Sequence, residues 1–561
     1  MVPKISVGVQ DFEFIRRKHC FFVDKTYFIK EWWENQDIVT LITRPRRFGK
    51  TLNLNMLECF FSTEYSGRED LFEGLSIWNE EEYRKLQGSY PVIFLSFASV
   101  KGNTYETTRE GILQLLTKLY SRHSYLREAP FMTRQDIDFF DSVSVRMTDA
   151  AAAFSVHSLS DYMSRYYGKK VLIFLDEYDT PLQEAYVHGY WDEMAGFMRS
   201  LFNAAFKTNP YMERSLMTGI TRVSKESIFS DLNNLEIVTT TSEKYEDSFG
   251  FTQEEVGKAL VQYGLSKEAD KVRAWYDGFA FGRRSGIYNP WSIINFLDKR
   301  KAVSYWANSS SNALADNLIR QGRPEIKIAM EDLLAGKELV TELEEEIIFD
   351  QLTKRHGVIW SLLLASGYLK VEEKTFCEDT GRTVYHLRLT NREVTLMFEN
   401  MIKNWFAADS VPYSEFQRAL LAGDVDYMNV YMNQVAAQTF SFFDTGNVPS
   451  ENVNPERFYH GFVLGLIVEL AGRYRITSNR ESGLGRYDVM LEPLKPHDLA
   501  MILEFKVRNP RKEKTLEDTL AAALAQIGGR GYDTELTSRG ILRENIRHYG
   551  FAFEGKTVLI G

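Results

Sequence analysis

Residues 37–61 read DIVTLITRPRRFGKTLNLNMLECFF. The pattern of these residues indicates the fold class of the first part of the chain. The opening DIVTLIT is rich in β-branched residues and predicts a buried strand, whereas the closing LNLNMLECFF has helical spacing. Between them a basic loop ends in Gly49, Lys50 and Thr51. In a strand, glycine loop and helix of this kind, backbone N–H groups hold a nucleotide's phosphates. The lysine then reaches the phosphates and the hydroxyl binds Mg²⁺.

The motif is incomplete as a phosphate-binding signature. The full pattern has a glycine five residues before Gly49, where this chain has Arg44. A Gly-Lys-Thr triplet alone is also compatible with a tight turn that binds nothing. The predicted strands that follow in sequence provide further evidence for a phosphate-binding site.

Three further apolar runs predict strands. They are short, nearly continuously apolar and separated by long helical segments, which is typical of a parallel sheet covered on both faces. The runs are 91–97 (PVIFLSF), 170–175 (KVLIFL) and 215–220 (SLMTGI). Residues 1–250 are therefore predicted to form an α/β domain with a parallel sheet.

The run 170–175 delivers two acids, Asp176 and Glu177, to its carboxyl end, where ligands bind in open α/β sheets. Asp176 is a candidate Mg²⁺ ligand together with Thr51. Glu177 is the candidate catalytic residue that polarises the water attacking the γ-phosphate. The alternative is that the two acids cap a helix.

The end of the run 215–220 carries candidates for contact with the γ-phosphate. Thr218 or Thr221 could sense this group, and Arg222 could neutralise it. An arginine after a strand is as often part of a surface ion pair, so both interpretations of Arg222 stay open.

Several segments together resemble the AAA-ATPase-like proteins of bacteria and archaea. They are FFVDKTYFI, RPRRFGKTLNLNML, FLDEYDTP, TGITRVSKESIFSDLNN and YDGFAF with YNPWSI. That family's phosphate loop favours arginines, so Arg44, Arg46 and Arg47 look like family features. The resemblance implies that ATP and Mg²⁺ are cofactors, and it places Asp24 and Lys25 near the nucleotide. We count Arg46 and Arg47, with Gly49, Lys50, Thr51, Asp176 and Arg222, among the candidate cofactor-binding residues.

The remaining chain divides by turn signals and periodicity. Thr252 and Glu255 form a plausible capping box at the start of a helical stretch. The acidic run 342–346 is interpreted as a solvated helix face. Residues 445–455 are rich in turn formers and predict a linker. The predicted ranges are a P-loop ATPase domain (1–250), a helical lid (251–303), a mostly helical middle region (304–450) and a last α/β domain (451–561).

The last domain carries a carboxylate–lysine pattern. The strands predicted at 487–491 and 501–507 contain Asp488, Glu504 and Lys506. Glu504 and Lys506 are two residues apart on an extended strand, so their side chains share one face. Asp488 and Glu504 suit Mg²⁺ as oxygen ligands, and Lys506 suits the attacking water and the transition-state charge of phosphodiester cleavage. The alternative is a surface hairpin with a Glu504–Lys506 ion pair.

The context SNRESGLGRYDVML, LEFKV and EDTLAAALAQI resembles the PD-(D/E)XK nuclease-like domain, a restriction-endonuclease-like fold. The resemblance implies that Asp488, Glu504 and Lys506 are catalytic. It suggests Glu456 as a further acid and Gln526 as a residue near the site. The alternative for Glu456 is that it caps its helix. We interpret His460 as a core histidine in preference to a residue that lines the cleft. Arg480, Glu481 and Arg486 are expected in a glycine-bearing loop that could face phosphates.

Composition limits the class of protein. With 44% hydrophobic and 26% charged residues, the chain is an ordinary folded protein. The three cysteines match no zinc or disulfide spacing, which favours a reducing compartment. We find neither a leader pattern nor an apolar run long enough for a membrane, so a cytoplasmic protein without membrane contact is expected.

Two functions remain open. The leading hypothesis is an ATPase fused to a metal-dependent nuclease that acts on nucleic acid, either DNA or RNA. The alternative is a nucleotide-gated interaction or signalling protein whose last domain binds nucleic acid without cutting it. The net charge of -10 favours the alternative, because nucleic-acid affinity depends on phosphate neutralisation. The Asp488, Glu504 and Lys506 set favours the nuclease, and a homo-oligomer is compatible with both.

Overall fold

The computed structural model describes residues 2–561 with gaps. The gaps are 222–227, 230–231, 308–312, 321–323, 335, 344–356, 379–380, 408–412, 440–462, 464–466, 468–469, 471, 483–484, 496–497, 510–511 and 555–556. The chain forms two compact units, one of residues 1–318 with 336–396 and one of residues 319–335 with 397–561.

The elements are numbered in chain order. The helices are α1 (Phe12–Arg17), α2 (Tyr27–Glu34), α3 (Lys50–Phe61), α4 (Glu81–Arg84), α5 (Tyr105–Arg122), α6 (Arg134–Ser142), α7 (Asp149–Tyr167), α8 (Thr180–His188), α9 (Trp191–Phe206), α10 (Gln253–Gln262), α11 (Ala269–Tyr276), α12 (Pro290–Lys299), α13 (Ala313–Arg320), α14 (Pro324–Leu334), α15 (Val358–Ala365), α16 (Arg392–Ala407), α17 (Tyr413–Ala422), α18 (Val425–Thr439), α19 (Leu516–Arg530) and α20 (Asp533–Ser538). The strands are β1 (Val39–Thr43), β2 (Val92–Ser96), β3 (Val171–Asp176), β4 (Met212–Gly219), β5 (Leu235–Val238), β6 (Phe251–Thr252), β7 (Phe279–Phe281), β8 (Arg284–Tyr288), β9 (Leu339–Glu342), β10 (Leu369–Cys377), β11 (Arg382–Leu389), β12 (Tyr474–Ser482), β13 (Gly485–Pro493), β14 (Ala500–Val507), β15 (Ile546–Glu554) and β16 (Thr557–Ile560).

The first sheet has the strand order β2-β3-β4-β1-β5, and all neighbouring strands run parallel. Every residue of β1 and β3 is buried, as expected for strands covered on both faces. The strand between β1 and β3 in space is β4, whereas β2, which lies between them in sequence, forms an edge. The carboxyl ends of β1, β3 and β4 therefore meet at one side of the sheet.

A small sheet follows in the predicted lid region. The capping box of Thr252 and Glu255 is present at the start of α10. Strands β7 and β8 form an antiparallel pair, and β8 also pairs with β6. Asn289 then caps α12, accepting the backbone N–H groups of Trp291 and Ser292, with Pro290 in the first turn.

The predicted middle region contains helices and an antiparallel sheet of order β10-β11-β9. This sheet was not predicted from the sequence. Glu342, expected on a solvated helix face, instead ends strand β9 and forms an ion pair with Arg382. A run of charge does not distinguish an exposed strand from an exposed helix, which is why the expectation was wrong at Glu342. Residues 344–346 of the run lie outside the described residues.

The second unit is built on a mixed sheet of order β12-β13-β14-β15-β16. Strands β14 and β15 run parallel and the other neighbours run antiparallel. Helix α19 connects β14 to β15 and packs against both strands. Helices α17 and α18, from the predicted middle region, contribute Phe416, Met428 and Tyr431 to the core of this unit.

The two faces of β14 have different partners. Met501, Leu503 and Phe505 lie in the core cluster with residues of α17 and α18. Ala500 and Ile502 lie in the cluster that contains Ile527 of α19. Because side chains alternate along a strand, the positions 504 and 506 belong to the face of α19.

These observations confirm the predicted fold class, an α/β protein with an N-terminal parallel sheet, a helical middle and a C-terminal mixed sheet. The four domain ranges remain predictions. In the described part of the chain, no helix combines the length and apolarity needed to cross a membrane.

Candidate functional site

The loop between β1 and α3 has the backbone geometry of a helix-opening turn. Gly49 is the residue before α3 and has φ +84°, in the left-handed region where side chains with a Cβ are disfavoured. A Cβ at Gly49 would meet no atom within 4 Å, so the backbone angle and not crowding requires glycine here. Arg47 also has a positive φ, +65°. Residues 44–49 therefore form a tight loop before the amino end of α3.

Lys50 folds back onto this loop. Its Nζ donates hydrogen bonds to the backbone oxygens of Arg44 and Pro45, each at 2.9 Å. The residue is only 5% exposed, and burial lowers the pKa of Lys50, while the charges of Glu177 and Asp176 oppose that change. The ammonium group is thus held inside the loop that a phosphate would occupy.

Thr51 and Asp176 meet although 125 residues separate them in sequence. Thr51 Oγ1 donates to Asp176 Oδ2 at 2.8 Å, and Thr218 Oγ1 donates to Asp176 Oδ1 at 2.8 Å. Ser96 Oγ adds a longer bond of 3.3 Å to Oδ2. Asp176 is fully buried. The structure therefore joins the two halves of the motif, a hydroxyl and a carboxylate, which are oxygen ligands that suit Mg²⁺.

Glu177 lies next to this pair in a strained conformation. Its φ is +50°, which is unusual for a residue with a Cβ. Its side chain is half-buried, and Oε2 accepts a hydrogen bond from Thr180 Oγ1 at 3.2 Å. Such outliers concentrate at functional sites, and this position beside Asp176 agrees with the predicted catalytic role.

Asp179 is a residue that the sequence analysis missed. Its Oδ2 accepts the backbone N–H groups of Ile220 and Thr221 and the hydroxyl of Thr221, all within 3.0 Å. Thr221, predicted as a γ-phosphate sensor, is thus engaged by Asp179, while Thr218 is engaged by Asp176. The sequence feature that could have identified Asp179 is its place as the third acid of the run DEYD, two residues beyond Glu177.

The loop arginines have different environments. Arg44 is fully buried, donates to the backbone oxygens of Thr43 and Thr239, and lies 4.6 Å from the ring centre of Phe281. Burial lowers the pKa of Arg44 to about 9. Arg44 therefore braces the loop from inside, where a glycine would leave a void.

Arg46 and Arg47 lie nearer the surface. Arg46 donates to Gln183 Oε1 at 3.3 Å, and Arg47 stacks over Trp291 at 4.5 Å. Gln183 also donates to Asp179, so Arg46 is linked through it to the end of β4. Arg222 lies outside the described residues.

Asp24 and Lys25 make contacts away from the loop. Asp24 accepts from Thr26 and from the backbone N–H of Ser76. Lys25 donates to the backbone oxygen of Asp247 and to Glu255 of the capping box. Their hydrogen bonds in the described structure thus join the N-terminal segment to its neighbours, and do not reach Lys50 or Thr51.

The second unit brings its three predicted catalytic residues onto neighbouring strands. Asp488 is on β13, and its Oδ2 accepts the backbone N–H of Phe505 at 2.8 Å. Glu504 and Lys506 are on β14, the next strand. Asp488 and Met490 share one face of β13, and Met490 belongs to the cluster with α19. All three side chains therefore lie on the face of the sheet that α19 covers in part.

Glu504 is a buried acid with an incomplete set of partners. It is 2% exposed, and Gln526 of α19 donates to its Oε1. Its Oε2 is buried and has no hydrogen-bond partner among the described residues. Burial, and next the charge of Asp488, raise the pKa of Glu504 to about 8, while Lys506 acts in the opposite direction. A buried carboxylate oxygen without a donor fits a cation bound between Glu504 and Asp488.

The supporting contacts extend from Gln526 to Tyr532. Gln526 Nε2 lies 3.2 Å from the hydroxyl of Tyr532, which is fully buried. Gln526 was predicted near the site, whereas Tyr532 was not. In the described residues, no group of three or more His, Cys, Asp or Glu side chains could hold a metal. Among the described residues, Asp488 and Glu504 are thus the two carboxylates placed to hold a cation here.

The structure describes only some of the other candidate residues of this domain. Glu456, His460 and the 445–455 linker lie outside the described residues. Arg480, Glu481 and Arg486 were expected in a loop, and that expectation was wrong. They lie on the paired strands β12 and β13, because the hairpin extends to Ser482 and Gly485.

Comparisons with known proteins agree with both halves of this description. Residues 6–229 match the family model described as predicted AAA-ATPase, and residues 454–561 match the model of the PD-(D/E)XK nuclease superfamily. A similar curated protein is an uncharacterized protein in the vnfD 5' region of Azotobacter chroococcum mcd 1. It is 26% identical over 393 residues, which are 70% of this chain and 68% of that protein.

Proposed function

Because this chain combines an AAA-ATPase-like domain with a PD-(D/E)XK nuclease-like domain, we propose that it hydrolyses ATP and cleaves nucleic-acid phosphodiesters with a divalent metal. The observation that carries the nuclease half is the buried, unpartnered Oε2 of Glu504 beside Asp488, with Lys506 on the same face. A surface hairpin with an ion pair would not bury a carboxylate in this way.

In the nuclease-like unit, Asp488 and Glu504 would hold Mg²⁺ or Mn²⁺. When bound there, the cation supplies Lewis-acid activation of the phosphate. Lys506, half-buried on the same face, would position the attacking water and offset the negative charge of the transition state. Gln526 keeps the Glu504 carboxylate in place through its hydrogen bond to Oε1.

In the ATPase-like domain, Lys50 would exchange its two bonds to loop carbonyls for bonds to the β- and γ-phosphates. This exchange leaves the charge of Lys50 inside the loop and costs no new burial. Thr51 and Asp176, already in hydrogen-bond contact, would hold the Mg²⁺ that accompanies ATP. Glu177 would accept a proton from the attacking water.

The test is a cleavage assay with the full chain. Plasmid DNA, linear duplex, single-stranded DNA and RNA are incubated with Mg²⁺ or Mn²⁺, with and without ATP. We expect metal-dependent cleavage of at least one substrate by the wild type and none by Glu504→Gln. Glu544→Gln, an exposed glutamate of the same unit, is the matched control and should cut normally.

Retained nucleic-acid binding without cleavage under every condition would refute the nuclease half. The function would then be the nucleotide-gated binding protein of the alternative hypothesis. Partner identity, a cytoplasmic location and a homo-oligomeric state remain predictions under either outcome.

A further inference from the structure

The motif YDGFAF with YNPWSI, to which neither catalytic site assigns a role, surrounds the phosphate loop. Residues of β7, of the first turn of α12 and of the segment after α12 touch consecutive loop residues. The contacts are Phe281 with Arg44 at 4.6 Å, Asn289 and Trp306 with the backbone oxygen of Arg46, Trp291 with Arg47 at 4.5 Å, and Phe279 with Phe48 at 4.7 Å. This part of the chain is therefore built against residues 44–48.

Two of these contacts are hydrogen bonds to a single backbone oxygen, that of Arg46. Trp306 Nε1 donates to the backbone oxygen of Arg46 at 2.9 Å, and Asn289 Nδ2 donates to the same oxygen at 3.3 Å. Both donors belong to buried residues. We call Asn289 and Trp306 the loop anchor.

The loop anchor acts on one peptide unit. A peptide bond is planar and trans, so the N–H of Arg47 points away from the carbonyl of Arg46. Holding that carbonyl against Asn289 and Trp306 turns the Arg47 N–H toward the opposite side of the loop. Phosphate-binding loops depend on backbone N–H groups held in this way. Arg47 has φ +65°, so its peptide needs external support that glycine would not need.

The anchor is independent of Lys50. The carbonyls of Arg44 and Pro45 are bonded by Lys50, and they lose this partner when the lysine turns to a phosphate. The carbonyl of Arg46 keeps its two donors throughout.

Glu393 holds Trp306 in turn. Its buried carboxylate accepts the backbone N–H groups of Tyr305 and Trp306 and the hydroxyl of Ser292. Ser292 is in the same first turn of α12 that Asn289 caps. One carboxylate thus joins both halves of the anchor.

We propose that Asn289 and Trp306 are positioning residues for the phosphate loop, which orient the Arg46–Arg47 peptide so that its N–H faces the nucleotide. This inference rests on the proposed binding of ATP at Lys50. It assigns a function to the YNPWSI motif and to the start of the middle region.

Two variants remove one donor each, and the matched control has the same loss of side-chain volume as the tryptophan variant. Trp306→Phe keeps an aromatic ring against Phe279 and Tyr368 but has no N–H. Asn289→Ser keeps an oxygen that caps α12, because serine caps helices as well as asparagine does, but it has no amide N–H to donate to Arg46. Trp360→Phe, at a buried tryptophan of α15, is the matched control.

Calorimetry with MgATP measures the dissociation constant, and thermal unfolding of the nucleotide-free protein measures stability. We expect each anchor variant to weaken ATP binding about tenfold, the net worth of one hydrogen bond, with an unfolding midpoint no lower than that of Trp360→Phe. Trp360→Phe should bind ATP like the wild type. A purely structural role would move the midpoint and not the affinity.

Wild-type affinity in both anchor variants would overturn the inference. If Trp306→Phe fails to fold, the result for Asn289→Ser alone tests the inference. If the wild type itself does not bind ATP, the proposed function fails first. If the wild type binds ATP, Lys50→Ala does not and the anchor variants bind normally, only the inference about Asn289 and Trp306 is wrong.

Discussion

Replacing Glu504 with glutamine should stabilise the metal-free protein at alkaline pH and abolish its response to Mg²⁺. Glu504 is buried beside Asp488 and has one carboxylate oxygen without a partner. Ionising this group in the absence of a cation is therefore unfavourable. Glutamine has nearly the same shape and keeps an oxygen for the bond from Gln526. It resembles the protonated acid at every pH.

The magnitude follows from the pKa of Glu504, which burial and the charge of Asp488 raise from its ordinary value of 4.5 to about 8. The folded protein holds this proton more tightly than the unfolded chain does. The free energy of unfolding is thus highest below pH 4.5, falls as the pH rises toward 8, and levels off above it. This rise in the pKa of Glu504 corresponds to a fall of about 5 kcal/mol in the free energy of unfolding, since one pKa unit is about 1.4 kcal/mol.

The assay is equilibrium urea unfolding of the full chain in EDTA, at pH 5 and pH 8.5. Pulsed hydrogen exchange of a peptide from β14 reports on this unit separately from the rest of the protein. Between pH 5 and pH 8.5, the free energy of unfolding of the wild type should fall by several kcal/mol more than that of Glu504→Gln. Glu544→Gln should show the wild-type pH dependence, because the side chain of Glu544 is exposed to solvent and pays no burial cost when it ionises.

Addition of Mg²⁺ at pH 8.5 supplies the missing partner. It should stabilise the wild type and the Glu544→Gln control, but not Glu504→Gln, because an amide does not provide the anionic oxygen. An identical pH dependence in wild type and Glu504→Gln would refute the argument that Glu504 is a buried, unpaired acid. A normal Mg²⁺ response in Glu504→Gln would refute its role as a ligand.

The remaining predictions concern the reactions themselves. Lys50→Ala should abolish ATP binding in calorimetry, because it removes the charge held inside the loop; wild-type affinity would exclude this loop as the phosphate site. Glu177→Gln should retain ATP binding but stop phosphate release, since an amide cannot accept the proton of the attacking water. Unchanged turnover in that variant would mean that another base acts. Lys506→Ala should slow cleavage by about 10²–10³-fold while calorimetric Mg²⁺ binding persists, because the lysine acts on charge and not as a ligand. Loss of Mg²⁺ binding in Lys506→Ala would contradict this division of roles.

The local pattern of residues was enough to predict the first four strands, two strands of the last sheet and the start of one helix. Strands β1 to β4 were predicted because buried parallel strands are short apolar runs, and the capping box at Thr252 because its bonds span only three residues. Asp488, Glu504 and Lys506 were placed on strands, and the structure brings them to one face of the sheet. These features depend on neighbours in sequence, so the sequence determined them.

Tertiary structure alone decided which distant groups meet. That β4 lies between β1 and β3, and that Thr51 contacts Asp176, follows from the order of strands in the sheet. Arg44 was noted in sequence only as a family-like arginine of the loop, and the structure buries it against backbone oxygens from residues about two hundred positions away. The bond from Trp306 to Arg46 spans 260 residues, and no local pattern encodes it. Burial, and with it the charge state of Lys50 and Glu504, is a property of the whole packed fold, because it depends on every element that excludes water from the side chain.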